Sequence, residues 1–306
     1  MTKVLIATEK PFAPAAVSSI RELVEDAGFE LALLEKYQSK DELLHAVADV
    51  DAMIIRSDKA TKEVLDAAKN LKIIVRAGAG YDNVDLEAAT ANNVVAMNTP
   101  GQNSNAVAEL ALGMMVFQAR NQFNGKAGSE LKCKKIGIHA YGNVGRYVAK
   151  IAQGFGMEVF AFDPFVKKED IEKDNVKVLD TAEELYATCQ YISLHIPAND
   201  KTKKSINFDL LNTMPAGATL VNTARKEVIN EEDMLRLMKE RNDFTYISDI
   251  APDCKAGFEK DFEGRFFFSP KKMGAQTAEA NINAGKAAAK QIIDFIKEGN
   301  ITFKVN

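Results

Sequence analysis

Residues 134–163 read KKIGIHAYGNVGRYVAKIAQGFGMEVFAFD. Lys134–His139 has the β-branched Ile136 and Ile138 of a short strand. Ala140-Tyr141-Gly142-Asn143-Val144-Gly145 is a tight turn. From Val144 to Phe155 the apolar spacing is helical, with Val144, Val148 and Ile151 on one face. Glu158–Phe162 is a second strand, and it ends on Asp163. Strand, glycine turn, helix, strand and terminal acid form the phosphate-cradling unit of a dinucleotide site. Glycine lets the backbone approach a pyrophosphate, the helix N-terminus faces it, and an acid about 20 residues on takes the ribose hydroxyls. Ala140 stands where the usual pattern has its first glycine, so the motif is AxGxxG. The stretch alone also fits a tight turn in another βαβ protein. Asp163 repels a 2′-phosphate, which favours NAD over NADP.

The alternation continues on both sides. Upstream, strands at Val4–Thr8, Leu31–Leu34, Ala52–Ser57, Leu71–Ala77 and Val94–Met97 are separated by helical stretches. Gly28 closes the first of these, and Thr61 caps the one over Lys62–Lys69. This pattern predicts a parallel sheet with helices on both faces, whose ligands lie at the carboxyl ends of the strands. Two polar features fall there. Arg56-Ser57 offers a fork for an anion or is a plain surface cation. Ala77-Gly78-Ala79-Gly80 turns several N–H groups toward an anion such as a carboxylate, or is a plain connection. Asn98-Thr99-Pro100-Gly101 breaks the chain. A long apolar helix, Ser104–Arg120, then opens a second domain, with Asn103 at its start, and Gln122–Leu131 is a polar loop or arm.

Downstream, Thr181 with Glu184 reads as a capping box. Strands at Tyr191–Ile196, Leu220–Thr223 and Tyr246–Ile250 bring His195, Arg225 and Asp249 to the cofactor edge of the second sheet. Ala278–Lys297 is a long helix without a strand of its own, so it returns to cover the first domain. The reading is therefore α/β with two doubly wound parallel-sheet domains. A discontinuous, flavodoxin-like substrate domain spans 1–101 plus 277–306. A Rossmann NAD-binding domain spans 102–276.

The chain has 306 residues and a net charge of −4, with apolar and charged fractions of 46% and 27%. These are ordinary globular values and give no sign of a nucleic-acid or membrane partner. No apolar run approaches the roughly 18 residues of a membrane span, and MTKVLIATEK has no signal-peptide core. Cys133, Cys189 and Cys254 have no CxxC spacing, so reduced thiols, no metal site and a cytoplasmic location are expected.

RAGAGYDNVD (76–85), NTPGQNSNAVAE (98–109), IHAYGNVGR (138–146), SLHIPA (193–198), LVNTARKEVINE (220–231) and MGAQTAEAN (273–281) occur in that order. Through these segments the chain resembles the D-isomer-specific 2-hydroxyacid dehydrogenases over essentially its whole length. The resemblance implies hydride transfer between nicotinamide C4 and substrate C2, in a cleft between the domains. Its wording is most similar to members that oxidise D-3-phosphoglycerate to 3-phosphohydroxypyruvate, at the head of serine synthesis. It implies a homodimer paired through the helix 104–120 and the arm 121–132. It leaves no residues for a C-terminal serine-sensing domain.

Residue by residue, the resemblance implies that Arg225 holds the substrate carboxylate and polarises the C2 oxygen. It puts Tyr141, Gly142, Asn143, Val144 and Gly145 at the pyrophosphate and Asp163 at the adenine ribose. His195, Thr223 and Ala224 line the strand ends, and Asp249 holds the nicotinamide carboxamide. Arg56, Ser57, Ala77, Gly78, Ala79, Gly80 and Asn103 face the substrate.

The family's catalytic histidine position is Lys272, and its partner glutamate position is Cys254. None of His45, His139 and His195 fills the gap. A lysine has no tautomer for a carboxylate to fix. Burial near Arg225 would lower its affinity for a proton, so it would serve as acid in reduction and base in oxidation. Asp253 is the candidate to orient it. Lys272 also reads as an electrostatic anchor for a substrate anion, or as a surface lysine. Three rival functions stay open: a hydroxypyruvate or glyoxylate reductase, a D-lactate-type enzyme, and a catalytically weak NAD(H)-sensing binding protein on the same fold.

Overall fold

Parallel strands alternate with helices from end to end of the computed structural model, which describes residues 1–306, and they gather into two sheets. The chain divides into a unit of Met1–Asn103 plus Gln276–Asn306 and a unit of Ser104–Ala275.

In the first unit the elements run β1 (Lys3–Thr8), α1 (Pro14–Asp26), β2 (Glu30–Glu35), α2 (Lys40–Ala46), β3 (Ala52–Ile55), α3 (Lys62–Ala67), β4 (Ile73–Arg76), α4 (Leu86–Ala91) and β5 (Val95–Asn98). The sheet order is β2-β1-β3-β4-β5, all parallel. Strands β3 and β4 are nearly continuous apolar runs because both faces are covered. Leu5, Met53, Ile55 and Ile74 pack with Leu43, Val64 and Leu65 on one face. Val4, Ile6, Ile54 and Val75 pack with Ile20 of α1 on the other. The register sets Ile55 beside Arg76 and Arg76 beside Asn98, so the polar residues after β3, β4 and β5 share one edge.

The second unit runs α5 (Ser104–Ala119), β6 (Lys135–His139), α6 (Asn143–Gly154), β7 (Glu158–Phe162), α7 (Lys168–Glu172), β8 (Lys177–Val178), α8 (Ala182–Thr188), β9 (Tyr191–Leu194), α9 (Phe208–Asn212), β10 (Thr219–Asn222), α10 (Glu231–Glu240), β11 (Thr245–Ser248), α11 (Lys255–Asp261) and β12 (Phe266–Phe268). Its seven parallel strands lie in the order β12-β11-β10-β9-β6-β7-β8. The order reverses between β6 and β9, where doubly wound sheets open a ligand crevice. The last helix, α12 (Ala278–Glu298), belongs to the first unit. Its Ala284, Ala288 and Ile292 join the core around Ile20, and a Cβ on Gly285 would lie 2.7 Å from Ile20 Cδ1.

Two local expectations need correction. Thr61 sits at the N-cap of α3, but its hydroxyl is buried and bonds to nothing in the chain. Thr181 does cap α8, but Glu184 reaches back to the Asp180 N–H rather than to that of Thr181. The complete capping box lies elsewhere, between Ser39 and Glu42 at α2. No helix is long and apolar enough to cross a membrane.

Candidate active site

The glycine turn is built around Ala140. This residue takes φ 77°, the left-handed conformation that a glycine adopts freely and an alanine does not. The third small position has no such latitude, since a Cβ on Gly145 would lie 2.5 Å from the Ala140 carbonyl oxygen. Gly142, the N-cap of α6, is exposed, and nothing lies within 4 Å of where its Cβ would be. No side chain caps α6, so the N–H groups of its first turn, from Asn143 through Val144 to Gly145, remain for an anion. Asp163 braces the turn: its carboxylate accepts from the N–H groups of Tyr141 (2.7 Å), Phe165 (2.8 Å) and Val166 (3.2 Å). The Tyr141 side chain is fully buried and donates to Asp174 at 3.0 Å, and its N–H is spent on Asp163, so the residue expected at the pyrophosphate braces the turn instead.

Two histidines that end β6 and β9 stand next to this turn. The His195 N–H donates to the His139 carbonyl at 2.9 Å. His139 Nδ1 lies 3.1 Å from the Tyr186 hydroxyl, and His195 Nε2 lies 3.0 Å from Ser193 Oγ. Burial pushes His139 down to about 4. Burial, with the neighbouring ring's charge behind it, pushes His195 down to about 3. Both are neutral near pH 7 and serve as polar strand-end groups.

The same carboxyl edge of the sheet carries Arg225 just beyond β10. Asn222, 1% exposed, sets its turn: Oδ1 accepts from Ala224 N and Nδ2 donates to the Arg225 carbonyl, both at 3.0 Å. The Arg225 side chain is exposed and donates to the Ala224 carbonyl at 3.0 Å. Beside it the Thr223 hydroxyl is buried and makes no hydrogen bond in the chain. A buried hydroxyl left in that state is costly unless a ligand satisfies it. Asp249, fully buried at the end of β11, accepts from Met273 N and Gly274 N, both at 2.8 Å. Its carboxylate therefore anchors the segment that carries Lys272, a contact that spacing did not reveal.

Lys272 itself is exposed, so the burial expected to weaken its hold on a proton is not found. Asp253, expected to orient Lys272, is an exposed carboxylate that pairs with Lys226 at 2.5 Å. Cys254, expected at the glutamate position, donates its N–H to Glu231 at 2.8 Å. Burial, and then Glu231, push its thiol up to about 12, so it is neither an acid nor a nucleophile near neutrality. Glu231 also accepts from Asp253 N at 2.9 Å and so organises this turn. Reading the sequence for strand ends alone passes over Asn222, Lys226 and Glu231.

In the first unit the guanidinium of Arg56 is already engaged. It donates to the carbonyls of Lys10 (3.2 Å) and Pro11 (3.1 Å) and to Asn281 Oδ1, and it lies over the Phe12 ring. Burial lowers its pKa from the ordinary arginine value. Ser57 beside it is exposed. Arg76, which the sequence reading left out, donates Nε to the Arg56 carbonyl at 3.0 Å and lies across Gly78. A Cβ there would fall 1.6 Å from Arg76 Nη1, so the glycine is what admits the guanidinium to the turn. The N–H groups of Gly78, Ala79 and Gly80 find no acceptor in the chain, whereas Ala77 N bonds to Ile55 O. The Asn98 amide fixes the turn by donating to the Ala79 carbonyl at 2.6 Å. Asn103 closes the first stretch of this unit.

Residues 4–306 match the D-isomer specific 2-hydroxyacid dehydrogenase, catalytic domain. The chain belongs to the D-isomer specific 2-hydroxyacid dehydrogenase family. Among similar members of that family, the Methanocaldococcus jannaschii D-3-phosphoglycerate dehydrogenase is 33% identical over 268 residues, 83% of this chain and 51% of that protein. The Thermotoga maritima hydroxypyruvate reductase is 39% identical over 217 residues, 66% of this chain and 70% of that protein. The crystal structure of NAD⁺-bound 3-phosphoglycerate dehydrogenase from Entamoeba histolytica is 48% identical, with a TM-score of 0.88, and the match covers 100% of this chain and 98% of that one. The chain spans about half the length of the phosphoglycerate dehydrogenases from M. jannaschii and rat that it matches.

Proposed function

We propose that this chain is an NAD-dependent D-2-hydroxyacid dehydrogenase that oxidises D-3-phosphoglycerate to 3-phosphohydroxypyruvate, the first step of serine synthesis. The observation that carries the reading is an exposed Arg225, held in a fixed turn at the end of β10, in a chain that aligns end to end with the E. histolytica enzyme.

The residues present fit NAD. The uncapped first turn of α6 and the open face of Gly142 would take the pyrophosphate, and Asp163 would take the adenine ribose. Thr223, with its unsatisfied hydroxyl, and Ala224, His195 and Asp249 would line the remaining strand ends. NAD, when bound, accepts or supplies the hydride.

Arg225 grips the substrate carboxylate with a planar fork and stabilises negative charge on the C2 oxygen. Lys272 gives a proton to that oxygen in reduction and takes it from the hydroxyl in oxidation. In oxidation the hydride leaves C2 with its electron pair and the proton leaves the hydroxyl, so a C=O bond forms and the charges balance. The Gly78–Gly80 amides and Arg76 offer anion contacts in the first unit, with Arg56, Ser57, Ala77 and Asn103 around them. A cytoplasmic homodimer paired through α5 and the arm 121–132 accompanies this reading. Phe123, 66% exposed where the arm begins, supports that pairing.

One observation favours a second reading. The engagement of Arg56 by two carbonyls and Asn281 leaves fewer of its N–H groups for a phosphate, which suits a hydroxypyruvate reductase. NADH consumption with 3-phosphohydroxypyruvate and hydroxypyruvate side by side decides between them. Faster turnover of the phosphorylated acid is expected. Faster turnover of hydroxypyruvate moves the assignment to the second reading. No turnover of either overturns this substrate assignment and leaves a D-lactate-type enzyme or an NAD(H)-binding protein.

A further inference from the structure

We propose that Asn222 and Asp249 form a positioning pair, fixing the register of Lys272 relative to Arg225 through one continuous chain of hydrogen bonds. The chain begins at Arg225, whose carbonyl accepts from Asn222 Nδ2 at 3.0 Å. The Asn222 carbonyl accepts from the Asp249 N–H at 3.0 Å and from Ser248 Oγ at 3.1 Å. The Asp249 carboxylate then takes Met273 N on one oxygen and Gly274 N on the other, each at 2.8 Å. Lys272 immediately precedes Met273.

Asn222 and Asp249 are 1% and 0% exposed, so neither side chain has water as an alternative partner. Loss of a link leaves a buried polar group unsatisfied. No strand or helix runs from Ser269 to Thr277, between β12 and α12, so regular structure does not hold Lys272 in place. Asp249 does so at two consecutive N–H groups. The fit also explains a glycine, because a Cβ on Gly274 would lie 3.0 Å from Asp249 Oδ2 and 3.2 Å from Val107 Cγ2. The residue expected at the nicotinamide carboxamide therefore has a second task, performed through the backbone. Small displacements of a proton donor are costly to rate, so this network acts on turnover through Lys272.

The inference rests on the reading of Lys272 as acid and base, and a double-mutant cycle separates the two. Asp249→Asn keeps one acceptor oxygen and turns an NH₂ donor toward the other N–H. It should lower kcat by about 10- to 100-fold at saturating substrate and cofactor, a larger factor than its loss of NADH affinity by fluorescence titration. In a Lys272→Ala background the same change should lower kcat by less than about twofold further.

Equal losses in both backgrounds overturn the positioning role. So does weakened NADH binding with kcat intact, which would give Asp249 to the carboxamide alone. An unchanged kcat in Lys272→Ala by itself sinks the lysine chemistry and the positioning role with it. Amide exchange offers a readout independent of activity. Met273 and Gly274 should lose protection in Asp249→Asn, and unchanged protection contradicts the network. Should that variant not fold, Asn222→Asp removes the donor to the Arg225 carbonyl while keeping the acceptor for Ala224. The same cycle with Lys272→Ala should again show coupling, and independent losses overturn the proposal.

Discussion

The β6 corner and the β10–β12 edge belong to one sheet, yet each departs from its family's pattern in a different way. At the corner, alanine replaces a glycine and the backbone keeps the glycine's conformation, φ 77° at Ala140. At the edge, the resemblance puts lysine and cysteine where histidine and glutamate are expected, and the loops around them are tied through Asn222, Asp249 and Glu231. The corner works through N–H groups, so a side-chain change there appears as strain. In the proposed reaction the edge works through side chains, so a change there alters the chemistry.

The largest effect that would break this comparison is at Lys272. Lys272→Ala should lower kcat for NADH-dependent reduction by roughly 10²- to 10⁴-fold, the usual range for loss of a general acid. A rise in KM alone would make Lys272 a binding group. Next comes acid sensitivity at the corner. His139 and His195 bind protons more weakly folded than unfolded, at about 4 and about 3 against an ordinary 6.5. As pH falls below about 6.5 the unfolded chain takes up protons first. The stability held by the neutral rings is therefore complete above that pH. It is lost on the way down to about pH 4 for His139 and about pH 3 for His195, at up to about 1.4 kcal/mol per pH unit for each ring. Urea midpoints between pH 6.5 and 4 should fall less steeply in His139→Asn than in the wild type, and equal slopes would contradict the assignment.

Smaller effects sharpen the corner itself. Gly145→Ala drives a Cβ to 2.5 Å from the Ala140 carbonyl oxygen and should cost about 1–3 kcal/mol, read as a lower melting temperature. Ala140→Gly relieves the positive φ and should raise stability by about 0.5–1 kcal/mol without changing kcat. A lower melting temperature for that variant would mean that Ala140 is not strained.

Most of the architecture was legible because its signals are local. Buried strands such as AMII and IIVR announce themselves as apolar runs, and the turn from Ala140 to Gly145 with Asp163 beyond it has a fixed spacing. β12 did not, because three phenylalanines are too short a run to show a period. Arg225 and Lys272 could be singled out as candidates in the sequence, but their setting could not. That Asp249 spends both oxygens on Met273 and Gly274, that Asp253 pairs with Lys226, and that Lys272 is exposed depend on how loops from different strands meet. Arg76 was hidden for the same reason. Its bond to the Arg56 carbonyl follows from the pairing of β3 with β4.

The most direct test of the central claim, that proton transfer at this edge has passed to a lysine, is the kcat of Lys272→Arg in NADH-dependent reduction of 3-phosphohydroxypyruvate. Arginine keeps the positive charge but does not give up its proton near neutral pH. Lys272 as acid and base predicts a loss close to that of Lys272→Ala. Retention of kcat within a few-fold of the wild type would contradict it and leave Lys272 as a positive charge that holds substrate.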